Sequence, residues 1–449
     1  MKARLRGFSA ALVAAILLCV VLGWQTSLVA AQGAGAVVTD GADAEVKAFR
    51  LDELEARLRT MAPGPEHDYF AGLLANRSGR IEESIRLLKG ALPSIRTARP
   101  DRAAVALEAL ADDYNKSFQY DDSARAYDDL LDHFASQLSK EQLQGTKDDS
   151  SVMHILRGAP AQTIAWDGPV QLKTSRNPLG SVNAELTVNG VREQWLLDTG
   201  ANLSTVSRSF AERLGLKLFP GVAQTMAGVT GIENPLHVAL LPTLKMGGAT
   251  LRNVVVLVLD DANLKVGPGK QAYQIDGIIG YPVFQALGNI TFLHGGGFEA
   301  GDKSRSSMAG TRMYMKLLTP VIECVVEGKN LPFSFDTGAS GTNLSARYYE
   351  RFRSESGTWK KGKNKSAGAG GVVTRKVYLQ RRVNLGIGDK TATLKMVPIF
   401  LSTMGSGIDD FYGNLGQDVV AGFESFTLDF AAMTFSLGEP TGALEALEH

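Results

Sequence analysis

One tripeptide occurs twice at the end of an apolar run, and it constrains this chain more than any other feature. Asp198-Thr199-Gly200 follows Trp195-Leu196-Leu197, and Asp336-Thr337-Gly338 follows Leu331-Pro332-Phe333-Ser334-Phe335. The copies lie 336 − 198 = 138 residues apart. In each, an extended run delivers a carboxylate to the point where glycine lets the backbone turn tightly. Two copies with similar flanks point to a duplicated unit. Two carboxylates held together in a partly dry site cannot both ionise easily, so a shared proton makes one a base and the other an acid.

The surroundings of the two tripeptides match. Val182–Val188 alternates in polarity, Asn189-Gly190 is a tight-turn signal, and Val191–Leu197 returns as the second arm of a hairpin. The later half repeats this with 321–326, a turn over 327–330, and 331–335. Asn202-Leu203-Ser204 and Asn343-Leu344-Ser345 then precede short helical segments, 208–214 and Ala346–Phe352. Glycine-bearing hairpins are expected at 226–231 and 367–371, with Gly228, Gly231, Gly368 and Gly370 as flap candidates. Strand runs follow, and each half reaches an apolar element ending in glycine: Ile278-Ile279-Gly280 and Asn414-Leu415-Gly416. These glycines lie 280 − 198 = 82 and 416 − 336 = 80 residues beyond their aspartates.

A strand-borne Asp-Thr-Gly, a glycine-tipped flap and a later apolar-Gly element, in that order and twice over, resemble the aspartic peptidases of the pepsin and retropepsin superfamily. The resemblance covers roughly residues 165 to 438. Ala201 and Ala339 look more like the retroviral and bacterial retropepsin-like branch than like pepsin, although both halves lie on one chain, as in pepsin. The resemblance implies an all-β bilobal domain with Asp198 and Asp336 as the catalytic pair. It also implies that Thr199 and Thr337 hydrogen-bond between lobes, while Gly200 and Gly338 give the loops room and offer N–H groups. Neither metal nor other cofactor is expected. Two departures stand out: Asn414 occupies an apolar position and is expected to weaken strand packing behind Asp336, and neither flap candidate contains the tyrosine that pepsin carries there.

Ahead of these lobes, over 41–144, apolar residues recur at three and four, and Ala, Leu, Glu and Arg dominate, as amphipathic helices require. Asn76-Arg77-Ser78 is matched by Asn115-Lys116-Ser117, and Glu82-Glu83-Ser84 by Asp121-Asp122-Ser123, at an offset of 115 − 76 = 39. Gly72 falls on Ala111, Leu88 on Tyr127 and Ala91 on Leu130. With Leu110, Tyr114 and Ser123, these residues resemble the tetratricopeptide repeat, whose usual period is about 34. The resemblance implies a groove for a peptide or partner protein, and a plain helical spacer fits the sequence as well.

The chain begins with Lys2, Arg4 and Arg6, an apolar stretch at 10–22, and Val29-Ala30-Ala31. That is the order of a secretory signal peptide over 1–31, so an exported, periplasmic or secreted protein is expected. The apolar stretch is short for a retained membrane anchor. Once 1–31 is removed, Cys324 is the only cysteine and no internal disulfide can form. Lys plus Arg and Asp plus Glu balance at 47 each, which leaves no electrostatic footprint for nucleic acid. His67, His133, His154, His237, His294 and His449 show no metal-ligand spacing.

The expected organisation is therefore a signal peptide at 1–31, a tetratricopeptide-like helical segment at 41–144, a linker at 145–164, a first lobe at 165–294, an inter-lobe linker at 295–310 and a second lobe at 311–438. The basic run 360–365 is expected as a solvated loop beside the second flap. The expected activity is hydrolysis of a polypeptide bound extended between lobes. The alternatives are a non-catalytic peptide-binding module that uses the same cleft, and a repeat-based adaptor that uses the helical groove.

Overall fold

The computed structural model describes residues 16–17, 20–21, 41–227, 233–267, 272–301, 310–368, 371–403 and 407–442. Most of the expected signal segment, and the flap candidates Gly228, Gly231 and Gly370, lie outside the described residues.

After the two-residue strands Ile16–Leu17 and Val20–Val21 come seven α-helices: α1 (Gly41–Ala48), α2 (Leu51–Leu58), α3 (Pro65–Arg77), α4 (Ile81–Ala98), α5 (Pro100–Lys116), α6 (Tyr120–Phe134) and α7 (Lys140–Ile155). From α3 onward each packs against the next. Small residues set the closeness of that packing. A Cβ at Gly72 of α3 would sit 2.7 Å from Leu88 of α4, and Ser123 Oγ donates to the Ala111 carbonyl at 2.8 Å across the α5–α6 pair.

Helix α7 corrects the linker expected at 145–164. It starts on a capping box formed by Ser139 and Gln142 and runs to Ile155, and Thr163–Trp166 is a strand. The periodicity was hidden because its buried face is polar, carrying Thr146, Asp148, Asp149 and Ser150 beside Val152 and Met153. The inter-lobe linker expected at 295–310 is corrected in the same way. Gly297–Ala300 is a strand in which Phe298 and Ala300 are buried, an alternation too short to stand out among glycines.

The β-rich part repeats one arrangement twice. In the first half, the hairpin Val182–Val188/Val191–Leu197 turns at Asn189-Gly190, both at positive φ (48° and 84°). Leu196 and Leu197 then pair in parallel with Ile278 and Ile279, and Ser204–Ser207 pairs antiparallel with the same Gly277–Ile279 strand. In the second half, Thr319–Val326 and Lys329–Phe335 form the hairpin. Ser334 and Phe335 pair in parallel with Asn414 and Leu415, and Asn343–Leu344 crosses antiparallel to that strand. Each tripeptide therefore emerges where a hairpin arm and a short crossing strand meet.

Strands from both halves join in one antiparallel sheet beneath the tripeptides. Its order is Val170–Arg176, Gly297–Ala300, Asn289–Leu293, Ser425–Asp429, Thr434–Leu437 and Thr311–Lys316. Phe292 stacks on Phe426 across the central pair, with ring centroids 4.8 Å apart. The basic run expected as a loop is instead the strand Lys360–Gly368, antiparallel to Gly371–Ile387. Exposed Lys361, Lys363 and Lys365 alternate with less exposed Gly362, Asn364 and Ser366, a strand pattern built from a charged face.

The helices pack on the β-rich part. Phe49 meets Phe411 and Tyr314 edge-on, with centroids 5.3 and 6.1 Å away. Arg312 bonds Asp52 and Glu55 of α2, and Arg347 donates to the Ala48 carbonyl at 3.0 Å. Asp112, Asn115 and Asp149, from α5 and α7, line a small cavity together with Asn202, Leu317 and Leu318. Asn202 lies four residues past Asp198, so the helices buttress the first tripeptide from behind.

Candidate active site

The backbone fixes the two aspartates in equivalent positions. Asp198 N–H donates to the Ile279 carbonyl at 3.1 Å, and Asp336 N–H to the Leu415 carbonyl at 3.0 Å. The N–H of Gly280 is held by Ser204 Oγ and that of Gly416 by Thr342 Oγ1, both at 3.1 Å. Ser204 and Thr342 thus tie each apolar-Gly element to the loop that follows its own tripeptide.

The threonines lock the two loops together. Thr337 Oγ1 accepts from Thr199 N–H at 2.9 Å and donates to the Leu197 carbonyl at 2.9 Å. Reciprocally, Thr199 Oγ1 accepts from Thr337 N–H at 3.1 Å and donates to the Phe335 carbonyl at 3.4 Å. Both side chains are fully buried, so these bonds form without competing solvent.

The glycines let each loop press against the opposite carboxyl group. A Cβ on Gly200 would lie 2.5 Å from Asp336 Oδ1, and one on Gly338 would lie 2.6 Å from Asp198 Cγ. No side chain fits in either gap. Asp198, Asp336, Thr199, Gly200, Thr337 and Gly338 are therefore gathered at one point. Of the flap candidates, only Gly368 is described, at the end of its strand.

Both carboxyl groups are buried. Burial, followed by the facing charge of Asp336, pushes Asp198 well above the usual carboxylate range. Burial also raises Asp336, against hydrogen bonds from Asp198, Asn414 and the N–H groups of Gly338 and Ala339. A buried pair of this kind holds one proton where two isolated carboxylates would hold none, which equips it for acid and base chemistry at once.

Asn414 departs from the expectation of weakened packing. It is buried, and its Nδ2 donates to Asp336 Oδ2 at 3.2 Å while its Oδ1 accepts from Ser334 Oγ at 2.7 Å. A polar residue at an otherwise apolar position was the sequence signal. Its partner could not be seen there because Ser334 lies 80 residues away. Gln417 was likewise missed: its Nε2 donates to the Thr337 carbonyl at 2.7 Å and its Oε1 accepts from Arg176. Gln417 and Arg176 border a cavity of about 280 Å³ on the side of the joint sheet, which Thr337 touches and neither aspartate lines. Among the described residues, no cluster of three or more His, Cys, Asp or Glu is arranged to hold a metal ion.

Residues 184–283 match the family model described as Aspartyl protease. The matched span, 283 − 184 + 1 = 100 residues, holds Asp198, its hairpin and Ile278-Ile279-Gly280, and gives the first lobe an aspartyl-protease-like character. No curated protein matches the chain. Among solved structures, basic 7S globulin from soybean is similar at 12% identity and a TM-score of 0.40, over 60% of this chain and 95% of that one. A retropepsin-like aspartic protease from Rickettsia conorii is similar at 15% identity and a TM-score of 0.21, over 31% of this chain and 91% of that one.

Proposed function

We propose that this chain is an aspartic endopeptidase whose two carboxyl groups, Asp198 and Asp336, activate one water molecule against a peptide carbonyl. The observation that carries the reading is the pair of buried carboxyl groups, each packed against the opposite tripeptide's glycine and joined by the reciprocal threonine bonds. The ionised member takes a proton from water as the water oxygen bonds to the carbonyl carbon. The protonated member passes its proton to the carbonyl oxygen, giving a neutral gem-diol. The proton held by the base then moves to the amide nitrogen as the C–N bond breaks, and a gem-diol hydroxyl returns a proton to the acid.

The substrate is a polypeptide bound in extended form, because hairpins flank the pair on each lobe and an extended chain can satisfy its backbone groups on their edges. The helical region, tetratricopeptide-like in its paired helices and small contact residues, serves here as a cradle behind the tripeptide loops.

Cleavage of a mixed peptide library from acid to neutral pH tests the reading. Wild type should cut, and Asp198→Asn and Asp336→Asn should each lose at least about three orders of magnitude, since the members of such a unit fail together. Equal cleavage by all three proteins would sink the two-carboxylate mechanism, and no cleavage by any would favour a peptide-binding module.

A further inference from the structure

The two tripeptide loops are related by a pseudo-two-fold, but the side chains behind them are not. In the first lobe, apolar Leu196 pairs with apolar Ile278. In the second, Ser334 stands where Leu196 does and pairs with Asn414 in place of Ile278. Both polar residues are buried.

The Asn414 amide sits between Ser334 and Asp336. Its Oδ1 accepts from Ser334 Oγ at 2.7 Å, a hydroxyl that also lies 3.3 Å from the Gly413 carbonyl. The Asn414 NH2 group donates to Asp336 Oδ2 at 3.2 Å. The reverse orientation would set an amide oxygen against a carboxyl oxygen.

The donors around the pair are consequently unequal. Asp336 accepts from Gly338 N–H at 2.8 Å, Ala339 N–H at 3.1 Å and the Asn414 amide. Asp198 accepts from the N–H groups of Gly200, at 2.9 Å, and Ala201, but no side-chain amide matches Asn414, and its buried Oδ2 has no hydrogen-bond partner. The charged group facing each carboxyl is the other one. Donors stabilise the ionised form, whereas a buried oxygen without one is best satisfied by carrying a proton itself.

We propose that Asn414, oriented by Ser334, breaks the symmetry of the pair, placing the shared proton on Asp198 and leaving Asp336 as the charged base. Asn414 is then a positioning residue that acts through Asp336. The kinetic consequence rests on the peptidase reading, whereas the protonation pattern does not.

Carboxyl-carbon NMR titration of aspartate-labelled protein tests this without requiring turnover. Asp198→Asn and Asp336→Asn assign the two signals. In wild type, Asp336 should be the member that ionises at lower pH. Asn414→Ile, which copies the first lobe, should raise that lower titration by roughly 1–2 pH units, the equivalent of one hydrogen bond to a charged group. Ser334→Ala should move it the same way by less, and it serves if the isoleucine variant does not fold. The acid limb of kcat/KM for peptide cleavage should follow by the same amount. A lower titration that stays in place in the folded variants, or one that belongs to Asp198, overturns the proposal. Should wild type cleave no peptide while the NMR shift is seen, the peptidase reading fails and the polarised pair stands.

Discussion

Glu108 gives the most direct test of how the helices are held against the lobes. It lies on α5, wholly buried, with Lys316 and Arg77 favouring its charge and Asp112 and Asp410 opposing it. Lys316 is the larger of the two favourable influences, but it also pairs with Asp410, whose charge opposes it at Glu108. Burial therefore dominates and lifts the Glu108 carboxyl from an ordinary 4.5 to about 7. Because the folded value exceeds the unfolded one, the folded protein binds the extra proton between these limits, and stability falls as pH rises through that window. Below about pH 4.5 both states are protonated and the group has no effect; above about 7 the loss is complete. The difference, 7 − 4.5 = 2.5 pH units at ~1.36 kcal/mol each, is about 3 kcal/mol.

Glu108→Gln keeps the shape and removes the titration. Urea unfolding should be followed in an Asp198→Asn background, which prevents self-cleavage. The glutamine variant should match its parent near pH 4.5 and exceed it in stability by about 2–3 kcal/mol at pH 8. A stability difference that stays constant across this range would refute the assignment of a buried, neutral Glu108. Asp113 and Asp149 are raised in the same direction, chiefly by burial and then by neighbouring acids, so the parent should keep some residual pH dependence after Glu108 is replaced.

Two substitutions probe the loops themselves. Thr337→Val removes a hydroxyl that accepts from Thr199 N–H and donates to the Leu197 carbonyl. Leaving those buried groups unpaired should cost about 1–3 kcal/mol in urea unfolding, and an unchanged midpoint would count against the threonine lock. Gly338→Ala places a methyl group within 2.6 Å of Asp198 Cγ. It should therefore cut peptide cleavage by at least about a hundredfold, as small displacements of reacting groups do, while circular dichroism stays near wild type; full activity would show that the loops have slack.

The hairpins that carry the aspartates could be read from the sequence because their turns are local. Asn189-Gly190 takes positive φ at both residues, as its composition signals, and Glu327 and Gly328 do the same at 49° and 70°. That second turn needs only two residues, fewer than the four expected, because Gly328 supplies the freedom that the longer loop was meant to provide. Helix α7 was hidden for the opposite reason: its inner face buries Asp148 and Asp149 where apolar residues would have marked it. Asn414 was visible as an anomaly but not as a donor, because its role depends on the parallel register with Ser334, which only the folded lobe establishes.

The features missed around the paired aspartates share a physical cause. Sequence patterning detects burial through apolar residues, and this protein buries polar groups at the places that bear on the paired aspartates. Asn414 donates to Asp336 directly, and Ser334 acts through Asn414. Gln417 ties the Thr337 carbonyl to Arg176 of the joint sheet. Asp112, Asn115 and Asp149 line a small cavity together with Asn202, just past the first tripeptide. A buried polar group is costly unless its partner is in place, so the hydrogen bonds of Asn414 and Gln417 resist displacement of the second loop. The duplicated core supplies two equivalent carboxylates, and the polar residues that the second lobe has without counterparts in the first make them unequal and hold the loop still. If that division is correct, replacing Asn414 should alter which aspartate carries the proton, whereas replacing Glu108 should alter stability with pH and leave the order of the two dyad titrations unchanged.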